Sequence, residues 1–246
     1  MYIGGKTESE VINVENGDAI LKVEKLSKAF GGVQALNKVD LIINKGEIHC
    51  LAGENGSGKS TLIKIISGFY KPDEGIIEIN GNRYKKLTPI EAIMEGVQVI
   101  YQDLSVFPNL TVAENVALNY ELYNKNKVIN WSKVDNIARS AMSMIGINLP
   151  LKENVENLSI ADRQLIAISR AILNEAKLII MDEPTTALTR KEIDKLFEII
   201  KNLQKSRVAV LFVSHKLNEV FEIAENFTIL RDGGKVITDS VKNVDN

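Results

Sequence analysis

Gly53-Glu54-Asn55-Gly56-Ser57-Gly58-Lys59-Ser60-Thr61 is the stretch from which the rest of this chain can be read. Its spacing is that of a phosphate-binding P-loop. Gly53, Gly56 and Gly58 let the backbone turn so that successive N–H groups point inward at a polyphosphate, an approach that side chains would block. Asn55 and Ser57 belong to the same turn. Lys59 is placed to reach β- and γ-phosphates, Ser60 to ligate Mg²⁺ and Thr61 to support an α-phosphate. The flanks agree with this reading. Ile48 to Ala52 is an apolar run that reads as a buried strand, and Thr61 to Ser67 reads as a helix, so the order is strand, glycine loop, helix N-terminus.

The chain has 246 residues, enough for one large or two small domains with a sizeable core. Lys+Arg 30 against Asp+Glu 32 gives a net charge of -2, so no basic excess argues for a nucleic-acid surface. The single cysteine, Cys50, excludes an internal disulfide framework and reads as a buried strand residue. Residues 1–19 are polar and acidic without a signal-peptide core, and no apolar run approaches the roughly 20 residues of a membrane helix. A cytoplasmic protein that meets a membrane only through partners is expected.

Ile20 to Glu24 and Val39 to Ile43 alternate as strands, and Ile76 to Ile79 meets Asn80-Gly81, a hairpin signal. Antiparallel β structure laid against the P-loop core follows. Between the first two strands lies Lys28-Ala29-Phe30-Gly31-Gly32, read as a loop whose aromatic either stacks on a base or anchors packing. Leu87 to Gly96 reads as a short helix with Pro89 in its first turn, and Val97 to Tyr101 as a strand ending at Gln102. From about Leu104 to Ile172 the pattern turns helical, with Trp131, Met142 and Met144 expected to pack. Ser159 has the position of an N-cap before a helix over Arg163 to Leu173.

Lys177 to Met181 is an apolar strand ending in Asp182-Glu183-Pro184. Beside a P-loop, this pair suggests Asp182 for Mg²⁺ through its waters and Glu183 for positioning water. Arg190 to Gln204 is amphipathic and covers the sheet. Val208 to Val213 is a buried parallel strand ending at Ser214-His215, and Phe227 to Thr238 is a last hairpin around Asp232-Gly233-Gly234. His215 reads either as a structural histidine or as a third phosphate contact.

P-loop, Gln102 after a strand, Leu158-Ser159, Asp182-Glu183 and His215, in that order over Ile20 to Thr238, resemble the nucleotide-binding domain of ABC transporters. The resemblance implies an α/β P-loop NTPase with a mixed sheet core, an antiparallel β-subdomain and an α-helical subdomain at about 104–172, residues 1–19 lying outside it. It implies ATP and Mg²⁺ as ligands. Phe30 would stack on adenine, Gln102 would sense the γ-phosphate, contact the metal and couple to the membrane partner, Glu183 would orient water, and His215 would contact the γ-phosphate. Two such domains close head to tail over two ATP molecules, so Ser159 would serve the partner's nucleotide. The implied partners are a second nucleotide-binding domain, as a tandem half or a homodimer, transmembrane permease subunits and, indirectly, an external substrate-binding protein. The place implied is the inner face of the cell membrane.

The family's usual signature is Leu-Ser-Gly-Gly-Gln, but Ile160, Ala161 and Asp162 follow Ser159 here, and Thr189 stands where an aspartate is usual. Leu-Ser-Ile-Ala-Asp-Arg-Gln resembles the first half of tandem ATPases that energise bacterial import of monosaccharides and, in related systems, nucleosides. The chain ends just after the last hairpin, as a half would, with a stand-alone subunit left open. A regulatory module with little turnover is the rival reading. Chromosome-maintenance ATPases, which need a long coiled-coil insertion, do not fit the short segment between the two motifs.

Overall fold

The computed structural model describes residues 18–101, 106–123 and 130–244. Gln102 lies outside the described residues.

Strand β1 (Ala19–Phe30) turns at Gly31-Gly32 into β2 (Val33–Asn44). Both glycines have positive φ, +53° and +86°, as a two-residue hairpin demands. Phe30 therefore ends a strand and does not sit in a loop, a correction with a simple cause: the turn takes only the two glycines. β4 (Glu74–Ile79) and β5 (Asn82–Tyr84) form a second hairpin through Asn80-Gly81, and the four strands make an antiparallel sheet in the order β2-β1-β4-β5.

The second sheet runs β10-β9-β3-β8-β7-β6. Its parallel strands are β3 (Ile48–Ala52), β6 (Val97–Ile100), β7 (Leu178–Asp182), β8 (Ala209–Val213) and β9 (Asn226–Arg231), with β10 (Gly234–Ser240) antiparallel at the edge. β3 and β8 are buried at every position, as parallel strands covered on both faces must be. Alternate residues enter different cores. Cys50, Ile179 and Phe212 face helices on one side, while Leu51, Ile180 and Leu211 face α1 (Lys59–Ile66) and the antiparallel sheet on the other. Burial pushes the Cys50 thiol up to about 12, which removes it as a nucleophile at neutral pH.

Helix α2 (Pro89–Met94) is capped by Thr88 and Glu91 and leads into β6. Between β6 and β7 come α3 (Val112–Tyr123), α4 (Trp131–Met144) and α5 (Ile160–Leu173). Met142 packs in the core as expected, but Trp131 and Met144 are exposed, because the buried stripe of α4 runs through Val134, Ala138 and Ala141 and leaves both outside it. α5 starts three residues earlier than periodicity indicates, since the Ser159 hydroxyl accepts from the Asp162 amide and caps the turn at Ile160. α6 (Arg190–Lys205) covers the sheet with Leu196, Phe197, Ile200 and Leu203. A short α7 (Leu217–Ile223) after His215 gives too few residues for the periodicity to show in sequence.

Candidate functional site

Gly58, at φ +106°, delivers the chain into α1 so that helix begins at Lys59. The amides of Lys59, Ser60 and Thr61 are then first-turn donors without an intrahelical acceptor, aimed where an anion binds best. The three loop glycines serve different ends. A Cβ on Gly56 meets nothing within 4 Å, whereas on Gly53 it would lie 2.4 Å from the Leu230 carbonyl and on Gly58 2.6 Å from the Ala35 carbonyl. Gly56 keeps the cleft open, while Gly53 and Gly58 let the loop press against β9 and β2. The Gly233 amide donates to the Ser57 carbonyl at 3.2 Å, so the β9–β10 turn backs the loop from behind.

Asn55, Gly56, Gly58, Lys59, Ser60, Thr61, Asp182 and Glu183 line one cleft of about 160 Å³. The structure thus gathers sequence positions 55–61 and 182–183, because β3 and β7 flank β8 and end at the same edge of the sheet. Ala35 joins them from β2, and no sequence signal marks it. Gly53 and Ser57 lie beneath the loop and not on the cleft wall; the Ser57 hydroxyl is buried without a partner. A wider concavity on the antiparallel sheet carries lysines such as Lys25 and Lys38 mixed with carboxylates such as Glu24 and Asp40, so no one charge sign prevails there.

Lys59 is 7% exposed, and its ammonium donates to the carbonyls of Gly53 at 2.7 Å and Glu54 at 2.9 Å. Folded over its own loop, it holds the cradle shaped. Asp182 has its carboxyl raised above the usual aspartate range, first by burial and then by the neighbouring Glu183 charge, with Lys59 and Lys64 pulling the other way. A site that resists its own negative charge is suited to a divalent cation. One carboxylate plus the Ser60 hydroxyl, with remaining positions for waters and phosphate oxygens, matches the way Mg²⁺ is bound. Among the described residues no cluster of three or more His, Cys, Asp and Glu forms an all-protein metal cage.

Glu183 sits at φ +48°, a conformation that few residues other than glycine adopt, with its amide donating to the Val213 carbonyl at 3.1 Å. The His215 Nδ1 lies 3.1 Å from its Oε1. Phe30 is half exposed and meets Tyr70 edge-on at 5.1 Å between ring centroids, with the Lys28 ammonium 5.3 Å from its own ring, and it is not on the cleft wall. Ser159 does not line the cleft; it stands at the start of α5, and its hydroxyl also donates to Asp162 at 3.0 Å. Thr189 donates its amide and hydroxyl to Glu192, so the position where an aspartate is usual acts here as a helix cap.

Residues 36–186 match the sequence family described as ABC transporter. The chain belongs to the ABC transporter family. The ribose import ATP-binding protein RbsA of Bacillus licheniformis is 39% identical over 225 residues, covering 92% of this chain and 46% of that protein. The D-allose import ATP-binding protein AlsA of Escherichia coli K12 is 42% identical over 224 residues, 90% of this chain and 44% of that one. The chain thus spans less than half the length of these import proteins. Among solved structures, the ADP conformation of MJ1267, an ATP-binding cassette of an ABC transporter, superposes with a TM-score of 0.81 at 27% identity, covering 92% and 94% of the two chains. A dimeric post-hydrolysis state of the cassette MJ0796 bound to ADP and Pi gives 0.77 at 27% identity, covering 91% and 100%. The fold of this ABC chain is that of an ATP-binding cassette, with a mixed sheet, an antiparallel sheet and covering helices.

Proposed function

We propose that this chain binds Mg·ATP in the P-loop cleft and hydrolyses it to energise sugar import through membrane permease subunits. The observation that carries the reading is the convergence of Lys59, Ser60, Asp182 and Glu183 on one cleft, with His215 against Glu183. Loop amides and Lys59 hold the phosphates; to do so the ammonium gives up the Gly53 and Glu54 carbonyls. Ser60 and Asp182 hold the Mg²⁺, which when bound neutralises charge on the phosphate oxygens. Glu183 takes up or orients the proton of the attacking water, and His215 steadies the carboxylate and contacts the γ-phosphate. Gln102 completes the set as the γ-phosphate sensor, and Phe30 offers its open face to adenine.

The relatives named for ribose and allose import support a sugar as cargo, carried by permease and external binding proteins. No described helix is long and apolar enough to cross a membrane; in this reading the chain meets the inner face of the membrane through its permease partners. Phe69, Ile90 and Met94 are each exposed, next to or within the segment where Gly68 presses on Thr88 and Pro89 at the start of α2, and in this reading they offer apolar contact to a permease segment. The second ATP site is built with a second nucleotide-binding domain, a tandem half in this reading, and Ser159 serves that partner's nucleotide. Because Asp162 already occupies the Ser159 hydroxyl, that second site turns over poorly. Glu183→Gln lowers ATP turnover about 100-fold or more while ATP still binds, read by phosphate release and calorimetry with the partner domain present. Unchanged turnover would remove Glu183 from its role.

A further inference from the structure

The conformation of Glu183 poses a question that the cleft alone does not answer. A residue with a side chain at φ +48° is strained by about 1–3 kcal/mol and persists only where its surroundings over-determine it. Its own contacts are the Val213 carbonyl, the His215 ring and the Thr186 hydroxyl, which donates to the Glu183 carbonyl at 3.2 Å and lies 3.5 Å from Oε2, and His215 is itself exposed on a loop. Something behind the pair has to hold both.

That place is taken by Glu219, in the first turn of α7 and 5% exposed. Burying a carboxylate is costly unless donors surround it, and here three do. Its Oε2 accepts from the Thr185 hydroxyl at 2.7 Å and from the Ser214 hydroxyl at 2.8 Å, and its Oε1 pairs with the Lys216 ammonium at 3.1 Å. Thr185 follows Glu183 by two residues across the stiff Pro184, and Ser214 immediately precedes His215. One carboxylate oxygen therefore closes a ring: Glu183, Pro184 and Thr185 on one arm, Ser214 and His215 on the other, meeting again at the contact between His215 and Glu183. The Pro184 carbonyl is held in addition by the buried Gln164 amide of α5. Glu219 itself does not reach the cleft.

We propose that Glu219 is a positioning residue for hydrolysis, fixing Glu183 and His215 relative to each other from behind the cleft. The proposal rests on Glu183 as the hydrolytic carboxylate. The rival role, a buried anchor that only pins α7 to the sheet, would alter stability without moving His215 relative to Glu183.

The chain contains two histidines, which makes ring-labelled histidine NMR of the intact, nucleotide-free chain a direct readout. His49, buried between Glu47 and Thr228, marks the intact fold. In Glu219→Ala the His215 resonance is expected to move to where Glu183→Gln places it, with the His49 resonance in place. In the ATPase assay kcat falls about 10- to 100-fold with little change in KM, the loss expected from a displacement of about 1 Å. Glu219→Gln keeps an oxygen that can accept from both hydroxyls and recovers most of that loss. If Glu219→Ala loses the His49 resonance and is unfolded, Thr185→Val, which removes one hydroxyl from the ring, is read the same way and moves His215 in the same direction. An unmoved His215 resonance in a folded variant overturns the proposal, as does Glu219→Gln being as impaired as Glu219→Ala. A wild-type chain that hydrolyses no ATP with its partner would sink the hydrolytic reading instead, and the resonance would still decide whether Glu219 holds the pair.

Discussion

Replacing Gly53 and Gly56 separately by alanine should split two properties that a glycine-rich loop usually confounds. At Gly56, φ is +81° and the added methyl meets nothing within 4 Å. The cost is that of a left-handed alanine, partly offset by a stiffer unfolded chain, about 1 kcal/mol net. At Gly53, φ is +150° and the methyl would lie 2.4 Å from the Leu230 carbonyl and 2.6 Å from the Ser57 hydroxyl, where 3.4 Å begins ordinary contact. Leu230 is 1% exposed in β9, which is hydrogen-bonded on both sides and cannot retreat. Backbone has to shift, and overpacking adds its own 1–3 kcal/mol, giving about 3 kcal/mol in all. At roughly 2–4 °C per kcal/mol for a chain of this size, Gly53→Ala should melt about 6–12 °C below the wild type and Gly56→Ala about 2–4 °C below. Thermal unfolding without nucleotide reads this directly. Calorimetry with ATP should show the complementary pattern, in which Gly56→Ala loses affinity well beyond its loss of stability because its methyl enters the cleft. Equal melting temperatures for the two variants would refute the assignment of Gly53 to internal packing and Gly56 to the open cleft.

Two further outcomes follow from buried carboxylates of opposite character. Asp182 has a raised folded pKa, from burial and then Glu183, so its contribution to stability is present at low pH and lost as pH rises through that folded value. Asp182→Asn should therefore unfold at a higher temperature than the wild type at neutral pH while weakening Mg²⁺ in the nucleotide complex about 10- to 100-fold; a lower melting temperature would contradict the cause given for the shift. Glu47 is buried, which by itself would raise its pKa, but hydrogen bonds from His49, Asn226 and the Asn44 amide more than offset this and hold it below 4.5. Its contribution is present above that unfolded value and disappears as pH falls through the folded one, so Glu47→Gln should cost about 3 kcal/mol at pH 7 and flatten the acid limb below pH 4.5. Parallel acid limbs in melting curves taken from pH 7 to 3 would assign the acid sensitivity elsewhere.

What can be read along the chain is what depends on neighbours in sequence. The P-loop, the Asp182-Glu183 strand end, the Asn80-Gly81 and Asp232-Gly233 turns and the Ser159 cap are all local patterns, in which backbone preference and spacing over a few residues settle the geometry. The same holds for the buried runs of β3 and β8, where unbroken apolar sequence has no other stable place. Tertiary structure decided the rest. That Gly53 serves packing and Gly56 the cleft depends on where Leu230 and Ala35 lie, residues distant along the chain. Thr189 looks like a lost aspartate in sequence and is a helix cap in space. Phe30, read as a loop residue, ends a strand against Tyr70. Glu219 carries no motif at all. Its meaning comes from two hydroxyls, 34 and 5 residues away along the chain, that the sheet brings onto one oxygen. Sequence reports the groups whose chemistry needs a local backbone shape, whereas the positioning of those groups is set by long-range packing, which no short window of residues contains.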